Sequence, residues 1–275
     1  MRVGEMANDS SVFWEGIYER FDDVLIESDI PFNGQAWLEN ISGTMKNLKE
    51  GDPLRTGAKS LRIVPTHLLP VIALIDDILH ESRRVRIYDV GGGVGDNYCY
   101  LSYWYPKEAR ELIEYNIVET KGNCVAGREL ELLGDVKWIE STGNWDEILT
   151  PSRIIDMIII CGTLQFINPW EKMLASCARS GCKYIYITRS PLQNIRPTFY
   201  SKQYIVPGNP GKHQGECIGV TPTAIFNKNE IVNEMKKDNY ELALDLFCAY
   251  CGMNRYEYRD EITVVYYNMI FRNKT

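Results

Sequence analysis

The residues best suited to chemistry in this chain are an acid followed by a string of glycines, Asp89-Val-Gly-Gly-Gly-Val-Gly95. Asp89, Gly91, Gly93 and Gly95 fit the spacing Asp-x-Gly-x-Gly-x-Gly, with Gly92 between them. In such a turn a glycine either takes a positive φ or leaves out a Cβ so that a ligand can approach the backbone. The dinucleotide fingerprint Gly-x-Gly-x-x-Gly fits less well. Started at Gly91 it puts Asp96 where the third glycine belongs, and started at Gly92 it puts Val94 and Asn97 in glycine positions. An acid ahead of the glycines also suits a positively charged ligand better than a pyrophosphate. A second acid, Glu119, ends the apolar run Glu114-Tyr-Asn-Ile-Val-Glu119. The interval is about that expected for the second strand of a βαβ nucleotide-binding unit, where a carboxylate can accept both ribose hydroxyls of a nucleoside.

Other candidates lie further along. Ligands of open α/β sheets bind beyond the carboxyl ends of the strands. The glycine turn, Glu119, Ser141, Cys161 to Gln165 and Arg189 are therefore expected on one face. Arg189 and Gln165 are placed either to hold an anionic or polyhydroxyl acceptor or to tie down the backbone that follows. His213 is the one histidine in a long segment after the strand at 184–187, which makes it the candidate base; the plainer reading is a surface histidine. His67 and His80 bracket an apolar helix and read as structural. Cys248-Ala-Tyr-Cys251 has the spacing of half a zinc site, with no second Cys or His pair nearby, so no metal is expected.

These side chains need a scaffold, and from Val85 onward the pattern alternates strand and helix, as in a parallel sheet covered on both faces. Val85–Tyr88, the run ending at Glu119, Val136–Ile139, Ile154–Ile160 and Tyr184–Ile187 read as strands. The fourth is apolar enough to be central. Before them, Ser11–Glu27 reads as a helix with Phe13, Ile17, Phe21 and Val24 on one face. Gln35–Leu48 and Thr66–Leu79 follow as helices, the latter with Pro70 in its first turn. Thr188–Thr223 reads as irregular, a lid or binding loop with five prolines, Pro191, Pro197, Pro207, Pro210 and Pro222. Asn227 with Glu230 starts a helix by the capping-box rule. Glu241–Tyr250 and Ile262–Phe271 form a final antiparallel pair.

The 275 residues carry a net charge of −7, which argues against a nucleic-acid grip. The first residues lack an apolar signal core and no run reaches membrane-spanning length, so a cytoplasmic protein is expected, with no membrane insertion. Its eight cysteines fit that compartment as reduced thiols.

The glycine pattern resembles motif I of the class I S-adenosylmethionine-dependent methyltransferases. Further stretches resemble a group of such enzymes from bacterial surface-polysaccharide gene clusters. They are Phe13-Trp-Glu-Gly-Ile-Tyr18, Asp89 through Asn97 and Tyr98, Ile117-Val-Glu119, Cys161-Gly-Thr-Leu-Gln-Phe166, Ile185-Tyr-Ile-Thr-Arg-Ser-Pro191, Gln203 and Gly219 through Asn227. The sequence departs at Thr188, which stands where an acid is expected before the arginine. The resemblance implies a Rossmann-like α/β fold with a mostly parallel seven-stranded sheet at 85–275, a lid at 188–223 and an N-terminal helical extension at 1–84. It implies S-adenosylmethionine as donor, held by Asp89, Gly91, Gly92, Gly93, Gly95, Asn97, Tyr98, Glu119, Ser141 and Cys161. It also implies a small-molecule or saccharide acceptor; O-methylation is expected, with His213, Arg189 and Gln165, read from their positions above, as the catalytic candidates. Two other readings are an NAD(P)-dependent sugar oxidoreductase or epimerase and a non-catalytic interaction module. The first is disfavoured by the missing third glycine and by the lack of a Tyr-x-x-x-Lys pair.

Overall fold

The computed structural model describes residues 13–26, 32, 34–49, 65–130, 136–206, 217–247, 256–258 and 262–275. Phe13–Tyr18 is a strand, β1, not the expected helix. The spacing of Phe13, Ile17, Phe21 and Val24 is helical, but Gly16 takes φ +79° and the strand finds a distant partner. Phe21 and Val24 still turn inward: Phe21 meets the Tyr200 ring edge-on at 5.7 Å, and Val24 is buried. Helix α1 covers Gln35–Lys49, and α2, Leu69–Glu81, follows a 3-10 turn at Thr66–Leu68. Pro70 sits in the first turn of α2, where its missing N–H costs nothing.

The alternating region then unfolds as β2 (Val85–Val90), α3 (Asp96–Trp104), α4 (Lys107–Arg110), β3 (Ile113–Glu119), α5 (Lys121–Glu129), β4 (Val136–Glu140), α6 (Trp145–Ile148), β5 (Met157–Cys161), α7 (Trp170–Arg179) and β6 (Tyr184–Gln193). Strands β4-β3-β2-β5-β6 are parallel and adjacent in that order. The order reverses between β2 and β5, the switch point at which doubly wound sheets bind ligands. β5 is buried along Met157–Ile160, as its apolar run requires. The two faces of the sheet hold separate cores. Val85 and Ile87 of β2 pack with Ile75 of α2 and Leu101 of α3, whereas Tyr88 and Val90 pack with Met173 and Leu174 of α7.

The chain continues through β7 (Phe199–Ile205), β8 (Gly219–Asn227), α8 (Lys228–Lys237), β9 (Tyr240–Phe247), β10 (Tyr256–Tyr258) and β11 (Ile262–Asn273). β11 lies antiparallel between β6 and β9. The expected irregular segment at 188–223 is therefore corrected over 188–206 and 217–223, while 207–216 lie outside the described residues. Thr188–Gln193 extends β6, and β7 and β8 form an antiparallel pair whose outer neighbour is β1. β8 also joins β6 in parallel at Leu192↔Phe226. The seven-stranded, mostly parallel sheet is corrected with it: among the described residues eleven strands connect into one mixed sheet. Asn227 caps α8 as expected, accepting from the Asn229 N–H at 2.9 Å; Glu230, however, accepts from the Thr198 N–H instead of closing a capping box. No helix among the described residues is long and apolar enough to cross a membrane.

Candidate functional site

Strand register gathers the candidate residues. Asp89 lies level with Ile117 of β3 and Ile159 of β5, Glu119 with Glu140 of β4, and Cys161 with Thr188 of β6. All stand at the carboxyl ends of neighbouring parallel strands. The glycine turn crosses this rim between β2 and α3.

Each glycine of the turn meets something different. Gly91, at φ +69°, lies against Thr163, and a Cβ on it would come within 2.2 Å of that side chain. Its N–H donates to the Val118 carbonyl at 2.8 Å. Gly92 lies directly on Asp89, where a Cβ would stand 2.8 Å from the carboxylate. Gly95, at φ +94°, opens α3. Gly93, at φ +58°, faces open space: a Cβ there would meet nothing nearer than Asp96 Oδ1 at 3.8 Å.

The two acids serve this turn differently. Glu119 Oε1 accepts from the Gly93 N–H at 3.2 Å, while Oε2 accepts from the Thr120 N–H at 2.5 Å and from Asn123 Nδ2 at 3.1 Å. Burial raises its carboxyl above the ordinary value, and these donors pull it back. Asp89 is fully buried beneath the turn. Its Oδ2 accepts from the Tyr115 hydroxyl at 2.7 Å and from Asn97 Nδ2 at 3.1 Å. Its Oδ1 is buried with no hydrogen-bond partner among the described residues. Burial pushes the Asp89 carboxyl up to about 7 against the pull of those two donors, and the charges of Asp96 and Glu119 add to the rise.

A second group surrounds Gly162. Arg189 occupies the left-handed region at φ +57°, in a bulge where β6 slips register against β11. Bulges of this kind re-aim a side chain beside a site. The Arg189 side chain passes 3.7–4.0 Å from where a Gly162 Cβ would be, and it hydrogen-bonds Cys161. Burial pushes the Cys161 thiol up to about 12, so it is a thiol, not a nucleophilic thiolate. Gln165 is buried; its Nε2 donates to the Gly162 carbonyl at 3.0 Å, and its Oε1 has no partner among the described residues. Thr163 ties the two groups together, its hydroxyl lying 3.1 Å from the Gly91 carbonyl and 3.2 Å from that of Cys161.

Of the expected residues, Asp89, Gly91, Gly92, Gly93, Gly95, Asn97 and Glu119 form the first group and Cys161, Gln165 and Arg189 the second. Ser141 joins the first group through its N–H, which donates to the Glu119 carbonyl at 2.7 Å. Tyr98 points elsewhere: it is buried in the core, its ring 5.0 Å from that of Tyr115. His213, Cys248 and Cys251 lie outside the described residues. Among the described residues no group of three or more His, Cys, Asp or Glu side chains is placed to hold a metal ion.

Three residues of the site went unread in the sequence. Tyr115 and Asn123 hold the two acids. A signal existed for both: Tyr115 shares a strand face with Glu119 at alternate positions, and Asn123 follows Glu119 by one helical turn. Phe32 had no local signal; its ring packs 4.6 Å from Phe166, and its carbonyl accepts from Asn123 Nδ2 at 3.5 Å. His67, read as structural, hydrogen-bonds Asn97. Burial, with the charge of Arg189, lowers its imidazole to about 3 and keeps it neutral.

No protein-family model and no curated protein matches the sequence. Solved structures do. A glycopeptide N-methyltransferase, MtfA, complexed with sinefungin is 10% identical, with 73% of this chain and 85% of that chain covered and a TM-score of 0.44. An S-adenosylmethionine-dependent methyltransferase from Clostridium acetobutylicum ATCC 824 is 10% identical, with 86% and 100% covered and a TM-score of 0.49. An O-methyltransferase family protein from Burkholderia thailandensis is 10% identical, with 76% and 56% covered and a TM-score of 0.43.

Proposed function

We propose that the protein is an S-adenosylmethionine-dependent methyltransferase of Rossmann-like fold whose donor lies on the glycine turn. One observation carries the reading: at the switch point of the sheet, Glu119 accepts the N–H of Gly93, where an added Cβ would meet nothing nearer than Asp96 Oδ1 at 3.8 Å. The residues fit the donor in kind. Gly93 leaves a cradle that any side chain would fill. Glu119 already accepts three hydrogen bonds; a carboxylate has about four acceptor positions, so one remains for a ribose hydroxyl. Asp89, Asp96 and Glu119 make this end of the rim suitable for a cation.

When bound, S-adenosylmethionine supplies a methyl group already activated on a sulfonium. The protein is then left to align two reactants and exclude water. Asp89 holds the turn from below, Glu119 fixes the nucleoside, and Phe32 and Phe166 close that side. Arg189 and Gln165 are the residues we assign to the acceptor, a small molecule or saccharide methylated on oxygen, with β7 and β8 rising beside them. The saccharide class and a role in envelope-polysaccharide synthesis rest on the sequence stretches quoted above, and His213 as base rests on its being the one histidine in the segment 188–223. The test is incubation with methyl-labelled donor and hydroxyl-bearing saccharide precursors. Label should pass to a saccharide and be lost in Gly93→Val. Transfer only to another acceptor class overturns the saccharide assignment; transfer undiminished in Gly93→Val overturns the site.

A further inference from the structure

The Asp89 carboxyl is unusual for a group at the centre of a cation site, because it touches no open space. Gly92 covers it, Tyr115 and Asn97 donate to one oxygen, and the other is buried without a donor among the described residues. Tyr115 is itself fully buried, its ring held against Tyr98. Its hydroxyl therefore has one geometric task, to donate to Asp89. A phenol donating to a carboxylate stabilises the charged form, and removing it favours the acid.

We propose that Tyr115 is a positioning residue that poises Asp89 between carboxylate and carboxylic acid, so that a sulfonium on the glycine turn is taken up with loss of the Asp89 proton to solvent, whereas the neutral thioether product is not. This deepens the donor reading above and rests on it. The proton is the only atom exchanged: the acid O–H breaks, its electron pair stays on the carboxylate, and the buffer receives the proton. Two opposite charges within about 8 Å in a buried site shift an ionisation by a pH unit or more. Other titratable groups face the same space and set its background. They are Glu119 on β3, Asp96 on α3, the Cys161 thiol on β5 and Arg189 on β6, with neutral His67 behind Asn97. Arg189 offsets Asp96, whereas neither Asp89 nor Glu119 has a cation beside it, and of those two Asp89 is the one covered by the turn. The consequence is product discrimination: the thioether binds over an unreleased proton and leaves a site that favours the next charged donor.

Calorimetric titration of the intact protein at pH 7, in two buffers of different ionisation enthalpy, counts the protons released. S-adenosylmethionine should release about half a proton, because an acid with a pKa of about 7 is half protonated there, and S-adenosylhomocysteine close to none. Tyr115→Phe should move the pH at which proton release is greatest, and the pH dependence of S-adenosylmethionine affinity, upward by about one unit, the scale of one hydrogen bond to a charged group. Equal proton counts for the two ligands in the wild-type protein overturn the proposal, whether or not Tyr115→Phe folds. A folded Tyr115→Phe with an unchanged pH profile removes Tyr115 from it. If neither ligand binds, the donor reading fails first and this inference with it.

Discussion

Gly93→Ala separates a ligand cradle from a packing requirement. Gly91, Gly92 and Gly93 stand side by side, yet a methyl group on each would meet different things. At Gly91 it would lie 2.2 Å from the Thr163 side chain, and at Gly92 it would lie 2.8 Å from the buried Asp89 carboxylate. At Gly93 the nearest atom is Asp96 Oδ1 at 3.8 Å, an ordinary contact. The direct cost to the fold at Gly93 is then the left-handed backbone alone, about 1–2 kcal/mol. That corresponds to a loss of about 2–4 °C in Tm per kcal/mol for a domain of this size. Gly91→Ala carries the same backbone cost plus a collision, and Gly92→Ala forces a methyl onto a buried acid; both should melt lower than Gly93→Ala. Binding should show the opposite order of interest. The Gly93→Ala methyl occupies the ligand's place, and overpacking of this kind costs about 1–3 kcal/mol, roughly 5- to 150-fold in Kd. Thermal melting and calorimetry with S-adenosylhomocysteine on the three variants decide the matter. Wild-type affinity in Gly93→Ala, or a melt lower than that of Gly91→Ala, refutes the reasoning.

Glu119→Ala should weaken S-adenosylhomocysteine by about 1.5–3 kcal/mol, with a 2′,3′-dideoxy analogue affected less; equal losses would mean that Glu119 serves only the turn. Because it also strands the N–H groups of Gly93 and Thr120, this variant should melt lower as well. Asp89 is raised from 3.8 to about 7, so between those values the folded protein holds a proton that the unfolded chain has lost, and stability falls as pH rises. Asp89→Asn removes that slope: its denaturation midpoint relative to wild type should rise from pH 5 to pH 8, and a constant difference would show that Asp89 ionises normally. Gly127→Ala on α5 would place a methyl 2.1 Å from the Trp138 ring, so it should lower Tm through α5 packing on β4, by about 1–3 kcal/mol, with donor affinity following only as the fold loosens. Unchanged melting would refute that packing.

The parallel strands and the glycine turn were legible because their signals are local. A run such as Met157–Ile160 can only be a strand buried on both faces, and the spacing of Asp89, Gly91, Gly93 and Gly95 is a property of the chain alone. β1 was not legible, since Phe13, Ile17, Phe21 and Val24 repeat as a helix would, and only pairing with β7 makes the segment extended. β7 and β8 were hidden behind their prolines for the same reason: they are strands by virtue of each other. Glu119 and Asp89 could be read as acids in place, but not their different exposure to ligand. That difference depends on Tyr115, Asn97 and Gly92 meeting around one carboxylate. His67 illustrates the limit from the other side. Its position before an apolar helix says core, and only the packing of α2 against α3 brings it to Asn97.

The central claim is that the turn after β2 binds an adenosyl sulfonium or its thioether, and a single titration tests it most directly. Calorimetry of the wild-type protein should show one site for S-adenosylhomocysteine and none for NADH or NADPH. Nicotinamide binding with no response to S-adenosylhomocysteine would contradict the account.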